Sequence, residues 1–213
     1  MENEIQKVAP SISSLIHAAI TVVDCGCYGW RLLEQCQAVG ANLIGVDESE
    51  PPGRPPWASF ATIKNEKISV PDGIGDLVVA SHVLEHIQSP ASFFLELTRI
   101  TRPEGMIWVE SPSELSALKN GSDDPQDHSF ESFWDDPTHI RPWTPGALYR
   151  LAIGCGVVPK AIGRVESDGI PSVRMLAQKP KFWLGRDKPR YVGLRCVAPA
   201  LKSAWEHVWG ESD

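Results

Sequence analysis

Three stretches of this sequence bring ligand-holding or proton-carrying side chains close together. The first is Asp24-Cys25-Gly26-Cys27-Tyr28-Gly29-Trp30, where glycines let the backbone approach a ligand and the helix that follows offers its first amides. Asp47 stands 21 positions after Gly26, at the end of the next apolar run, where a carboxylate can accept hydrogen bonds from ribose hydroxyls. The second stretch is Ser81-His82-Val83-Leu84-Glu85-His86, in which two imidazoles and a carboxylate follow an apolar run. The third covers residues 127–143. There Phe130, Trp134 and Trp143 offer aromatic faces to a sugar ring or an apolar acceptor, while Asp135 and Arg141 offer polar groups to hydroxyls. His139 is the candidate general base, with His86 and Asp136 as further catalytic candidates, because an imidazole exchanges a proton near neutral pH. The same stretch also reads as a lid whose aromatics pack on a sheet edge and whose Asp and Thr cap a turn. Asp-Asp-Pro-Thr-His lacks a dedicated zinc spacing, so no metal is expected.

These groups need elements to hold them. Residues 5–19 have a loose helical pattern, and residues 20–24 form a short apolar run ending at the first glycine turn. Leu32, Leu33, Cys36 and Val39 recur at helical spacing, Gly40 stands where a left-handed cap belongs, and residues 43–46 make a second apolar run. Four prolines in residues 50–57 rule out regular structure there. A strand is faint over 61–70 and clear over 77–80. Ser89 and Pro90 open a helix whose apolar face is Phe93, Phe94, Leu97 and Ile100. Residues 102–105 read as a turn, 106–110 as the next strand, and Thr144 with Pro145 opens another helix. Runs over 157–165 and 173–178 add two last strands. The pattern predicts an α/β, Rossmann-like fold: a mostly parallel sheet with helices on both faces and an antiparallel C-terminal edge. Residues 1–185 form one domain in this reading, with 111–143 as an acceptor-side insertion or lid. Residues 186–213 form a helical tail that packs back through Leu201, Ala204, Trp205 and Val208.

The run Gly75-Asp76-Leu77-Val78-Val79-Ala80 into Val83-Leu84-Glu85-His86, followed by Arg99-Ile100-Thr101-Arg102-Pro103-Glu104-Gly105, resembles the fourth- and fifth-strand signatures of class I methyltransferases of the small-molecule type. The likeness spans residues 20–115 in order and spacing. It implies S-adenosylmethionine as cofactor, with Asp24, Gly26, Cys27, Tyr28 and Gly29 around the methionine moiety and Asp47 at the ribose. Ser81 and His82 would lie on the cofactor face, with Glu66 or Asp72 near the adenine. Where the family usually has glycine, this chain has Tyr28 and Trp30, whose side chains either point away from the ligand or narrow its pocket. The segment Asp136-Pro137-Thr138-His139-Ile140-Arg141-Pro142 is similar to one found in methyltransferases associated with glycan and polysaccharide synthesis. The resemblance therefore implies O-methylation of a sugar or other small hydroxyl acceptor. A noncatalytic methyltransferase-like scaffold is the alternative that Tyr28 and Trp30 suggest, and a nicotinamide-dependent enzyme is the third. Asp24 before the glycines suits a phosphate-free ligand better than a pyrophosphate.

Composition narrows the partners. At 213 residues and a formal charge of -7, with no gathered run of Lys and Arg, the chain suits a small-molecule or glycan acceptor and not a nucleic acid. It has no stretch approaching the roughly 20 apolar residues of a membrane span and no leader pattern, so a cytoplasmic location is expected. The five cysteines, Cys25, Cys27, Cys36, Cys155 and Cys196, have no framework spacing and read as small buried hydrophobes.

Overall fold

Val22 and Val23 are both fully buried, and they face opposite layers. This is the mark of a strand covered on both sides. It belongs to β1 (Thr21–Cys25) in a computed structural model that describes residues 9–121 and 132–182. Among the described residues one sheet of eight strands takes the order β4-β3-β2-β1-β5-β6-β8-β7. The remaining strands are β2 (Asn42–Asp47), β3 (Ser59–Lys64), β4 (Lys67–Ile68), β5 (Gly75–Ser81), β6 (Thr101–Pro112), β7 (Val158–Ser167) and β8 (Ile170–Gln178). The central five, β3-β2-β1-β5-β6, are parallel. β8 and β7 close the C-terminal edge antiparallel, through a turn with both Asp168 and Gly169 at positive φ, the geometry a two-residue hairpin demands.

Among the described residues, three α-helices cover the sheet. α1 (Leu33–Val39) lies on one face, where Leu32 and Cys36 join Leu43, Leu77, Val79 and Trp108. Gly40 caps it at φ 70, with its N–H on the Gln37 carbonyl. On the other face α2 (Pro90–Ile100) and α3 (Pro145–Gly154) bury Phe93, Phe94, Leu97, Leu148 and Ala152 over Val78, Ala80, Ile107 and Val109. Each buried Phe or Leu among them contributes about 1.5–3 kcal/mol through the apolar area it removes from water. Thr144 starts α3 by accepting the Ala147 N–H at 3.0 Å.

Three expectations change in detail. The described part of residues 5–19 holds only a 3-10 turn, Ile12–Ser14, because the Ser14 hydroxyl bonds the Ser11 carbonyl at 2.7 Å in competition with an α-helical ladder. The faint strand over 61–70 divides into β3 and β4, joined by Asn65 and Glu66, both at positive φ. The turn at 102–105 is a bulge inside β6: Thr101 pairs with Gly75 and Met106 with Leu77, so four residues bulge against Asp76. Over 48–58 the chain is irregular, as the four prolines of residues 50–57 imply. The tail beyond residue 182 and the stretch 122–131, which contains Phe130, lie outside the described residues.

Candidate active site

From β1 the crossovers run one way to β2 and β3 and the other way to β5 and β6, so a crevice opens beyond the carboxyl ends of the strands where the order reverses. A cleft of about 510 Å³ occupies it, within the range of small-molecule sites.

The turn after β1 forms its floor. Gly26 takes φ 82, and a Cβ there would lie 2.4 Å from Val83 Cγ2, so only glycine lets the turn pack against the segment after β5. The Gly26 and Cys27 N–H groups both donate to the Val46 carbonyl, at 2.8 and 3.2 Å. Tyr28 swings outward, 82% exposed, and forms the lip of the cleft without filling it. Trp30 keeps a glycine-like φ of 53, a conformation that costs a residue bearing a Cβ about 1–2 kcal/mol. Its indole is buried and donates to the Pro51 carbonyl at 3.2 Å. The room for it comes from Gly45, where a Cβ would stand 2.5 Å from the Trp30 ring and 2.8 Å from Cys27 Sγ. Cys27 and Gly29, expected at the cofactor, therefore lie off the cleft wall: the thiol faces the core, and Gly29 at φ 68 serves the turn. The four described cysteines are buried, and burial pushes the Cys27 and Cys155 thiols up to about 12.

Charge surrounds this floor. Asp24 is 2% exposed, its Oδ2 has no hydrogen-bond partner, and burial raises its pKa to about 7 against the lowering charge of Arg31, with Asp47 adding to the rise. Asp47 stands in the cleft wall at the end of β2 and accepts the Glu48 N–H at 2.8 Å. Arg31 crosses to the Ser81 carbonyl at 3.0 Å. Arg31 is a wall residue that sequence reasoning missed, because nothing in its spacing distinguishes it from a surface arginine.

Ser81 ends β5 and His82 follows it in the same wall. His82 takes φ 54 and lies between two buried carboxylates, with Nδ1 3.4 Å from Glu85 Oε1 and Nε2 3.6 Å from Glu110 Oε1. Burial alone would lower its pKa; the flanking Glu110 and Glu85 instead hold it at about 9. Burial also opposes the Glu110 charge, yet hydrogen bonds from His82, Ser167 and Arg174 bring that carboxyl down to about 2. The other oxygen of Glu85 accepts the Ser111 hydroxyl at 2.7 Å.

His86 is the second imidazole of this wall. Its Nδ1 lies 2.9 Å from the Thr138 hydroxyl, which donates to Asp136 Oδ1 at 2.5 Å. His139, the expected base, packs behind it: its ring stacks on Phe133 at 4.5 Å and meets His86 at 4.8 Å, and it is absent from the cleft wall. The His139 Nδ1 bonds the Phe133 carbonyl at 2.7 Å, a backbone tie that fixes the ring and that sequence spacing does not reveal. One ligand atom from each of Glu85, His86 and His139 falls within 4.8 Å of the others.

The proposed acceptor contacts divide. Trp134 is exposed, with its indole N–H on the Ala117 carbonyl. Arg141 ties to the Gln88 carbonyl at 3.0 Å. Asp135 closes a capping box with Ser132 at the 3-10 turn Phe133–Asp135. Trp143 is a correction: it is 5% exposed within the core under α2 and α3, bridged to Ser113, and presents no face to a ligand. Of the two adenine-side candidates, Glu66 and its neighbour Asn65 line the cleft at the β3–β4 turn, whereas Asp72 pairs with Arg99 outside it. Ile63, Val83, Ile87 and Phe93 give the cleft its apolar surface, and only the burial of the helix face hinted at Phe93.

The floor suits S-adenosylmethionine. A backbone turn without a Cβ leaves close approach, an orphaned buried carboxylate lies beneath it, and a second carboxylate stands at the rim.

Comparison with known proteins agrees. A family model described as a methyltransferase domain matches residues 1–156. A Mycobacterium tuberculosis protein named "Probable S-adenosylmethionine-dependent methyltransferase" is 27% identical over 165 residues, 74% of this chain and 54% of its own length. A ubiquinone biosynthesis O-methyltransferase of Dechloromonas aromatica is 32% identical over 100 residues, 42% of this chain and 43% of its own. The chain thus spans about half the length of the curated relatives it matches. Among solved structures, the 1,6-didemethyltoxoflavin-N1-methyltransferase of Burkholderia thailandensis, with bound S-adenosylhomocysteine, superposes with a TM-score of 0.60 at 19% identity, covering 79% of this chain and 76% of that one. A Mesorhizobium loti S-adenosylmethionine-dependent methyltransferase gives 0.60 at 15%, covering 76% and 92%.

Proposed function

The chain belongs to the methyltransferase-domain family, as a class I S-adenosylmethionine-dependent member, and we propose that it methylates a hydroxyl of a small-molecule acceptor, a sugar included. The observation that carries this reading is His86, an imidazole in the cleft wall just beyond β5, where an acceptor hydroxyl must lose a proton as it is methylated. The same wall holds the proposed donor contacts: Gly26 and Tyr28 at the methionine end, Asp47 at the ribose, Ser81 and His82 between, and Asn65 with Glu66 toward the base. Asp24 lies buried beneath the turn with an unpartnered Oδ2, placed to answer the donor's cationic ammonium from below. When bound, S-adenosylmethionine supplies a methyl carbon on a sulfonium. The protein's part is to align the acceptor, exclude water and take the proton. Ubiquinone-biosynthesis relatives are named O-methyltransferases, which supports oxygen as the methylated atom.

Two alternatives lose their motive. The scaffold reading rested on Tyr28 and Trp30, and neither side chain fills the cleft. A nicotinamide cofactor needs turn amides to cradle a pyrophosphate, but the Gly26 and Cys27 amides are both held by Val46.

The test has two stages. Thermal shift with S-adenosylmethionine, S-adenosylhomocysteine and nicotinamide cofactors should show stabilisation by the first two alone, about 2.7 kcal/mol at 100 times the dissociation constant. Mass spectrometry of products from a panel of hydroxylated acceptors should then show methyl ethers, with His86→Gln slower by about a hundredfold or more. Products methylated on nitrogen or carbon, or undiminished turnover in His86→Gln, would overturn the hydroxyl reading.

A further inference from the structure

We propose that Thr138 and Asp136 are positioning residues that fix which nitrogen of His86 carries its proton. This rests on the reading of His86 as the acceptor-side base. A hydroxyl has one proton to give. The Thr138 Oγ1 proton goes to Asp136 Oδ1 at 2.5 Å, because a carboxylate only accepts. The 2.9 Å contact between Thr138 Oγ1 and His86 Nδ1 must then be a bond in which Nδ1–H donates and the hydroxyl oxygen accepts. Neutral His86 is thereby the Nδ1–H tautomer, with its Nε2 lone pair left to receive a proton.

The device is built from short local geometry. Asp136 Oδ1 also accepts the Thr138 backbone N–H at 2.8 Å, so the carboxylate is held even when the hydroxyl is absent. Burial is the largest single influence and opposes the Asp136 charge, but the hydroxyl and amide of Thr138 together, helped electrostatically by the neighbouring His139 and His86 rings, keep its carboxyl below the usual range. On its other side the His86 ring meets His139, whose Nδ1 is tied to the Phe133 carbonyl. That tie makes the His139 Nδ1–H a donor to the backbone and leaves its Nε2 directed at Asp136 Oδ2, 3.7 Å away. Among the described residues, the charged and titratable groups around His86 are Asp136 and His139 from the loop after β6, Glu85 and His82 from its own segment, and Glu66 from the β3–β4 turn.

In the transfer, the acceptor oxygen bonds the methyl carbon while the carbon–sulfur bond breaks with its electron pair left on sulfur. The hydroxyl proton goes to His86 Nε2, and the resulting imidazolium keeps Nδ1–H on Thr138, backed by the Asp136 charge. Asp136 and Thr138 touch no acceptor; they act through His86.

Thr138→Val removes the hydroxyl at nearly constant shape, and Thr138→Ser restores it. In the acceptor-free protein, imidazole nitrogen-15 chemical shifts should show His86 protonated at Nδ1 in the wild type and in Thr138→Ser, and a mixture of tautomers in Thr138→Val. With an acceptor, Thr138→Val should lower kcat about 3- to 30-fold, with S-adenosylhomocysteine affinity and acceptor KM within about 2-fold. Asp136→Asn should move the low-pH limb of the rate profile to lower pH, because the imidazolium loses its stabilising charge. An Nε2–H tautomer in the wild type, or a Thr138→Val protein with wild-type nitrogen shifts and kcat, would refute the positioning role. If His86→Gln retains full turnover while the shifts come out as stated, the base reading fails and the tautomer assignment stands.

Discussion

Asp24→Asn offers a quantitative check on the buried charge beneath the cleft. The Asp24 carboxyl is raised from 3.8 to about 7, first by burial and then by Asp47, with Arg31 acting in the opposite direction. In the unfolded chain the group is ionised above about pH 4; in the fold it stays protonated until about pH 7. The unfolded state therefore binds fewer protons in that window, and stability must fall as pH rises through it, by about 1.4 kcal/mol per pH unit. The accumulated cost reaches about 4 kcal/mol by pH 7 and levels off above. Asparagine has nearly the same shape and does not titrate. The difference in unfolding free energy between Asp24→Asn and wild type, from urea titrations at pH 5, 6, 7 and 8, should grow by about 2–3 kcal/mol between pH 5 and 7 and flatten by pH 8. Groups common to both proteins, including His82 and Glu110, cancel in that difference. Saturating S-adenosylhomocysteine, whose ammonium is cationic, should reduce the slope by drawing the Asp24 pKa down. A pH-independent difference would show that Asp24 is ionised in the fold through a partner, and the argument from its unpartnered oxygen would fail.

Three further outcomes are expected. Asp47→Ala should leave the fold intact and weaken S-adenosylhomocysteine binding by about tenfold to a hundredfold in calorimetry, the range for a lost charge-assisted hydrogen bond; unchanged affinity would take Asp47 out of the site. Tyr28→Gly should change donor affinity by less than about 3-fold, because the ring it removes is 82% exposed; a large gain would mean that Tyr28 closes the pocket in solution. Gly45→Ala should destabilise by about 1–3 kcal/mol through overpacking against Trp30, and adding Trp30→Leu should recover part of that loss in a double-mutant cycle.

The sheet was legible because its strands are short apolar runs bounded by glycine, proline and acidic residues, so β1, β2, β5 and the core of β6 fall where periodicity places them. Ser89-Pro90 and Thr144-Pro145 marked both helix starts for a local reason, the fit of proline to the first helical position. What periodicity could not show was the two-residue hairpin at Asn65 and Glu66, since β3 and β4 together mimic one longer run. The cleft divided along the same line. Gly26, Asp47, Ser81 and His82 sit at strand ends, which topology brings to one edge. Arg31, Ile63 and Ile87 reach the cleft by side-chain direction alone. The aromatic stretch after β6 was read by composition, and composition does not separate Trp134, which is exposed, from Trp143, which is core. Nor does it separate His139 from His86, because the Phe133 carbonyl that turns His139 away is a backbone group carried by any residue.

The turn after β1 shows why a motif with missing glycines need not be a broken one. Glycine in such a turn supplies two separate things, access to positive φ and the absence of a Cβ. Where the second is indispensable, at Gly26, the glycine is present, since a side chain there would strike Val83. At Trp30 only the first is needed: the residue adopts φ 53 at a modest conformational cost, and its indole enters a space left by Gly45 on the neighbouring strand. The absence of a side chain has been relocated from the turn to β2. At Tyr28 neither is required, because the chain there faces solvent and Gly29 beside it takes the left-handed conformation. The turn is thus read through φ values and the space around each Cβ, and by that measure its backbone is free to meet a ligand.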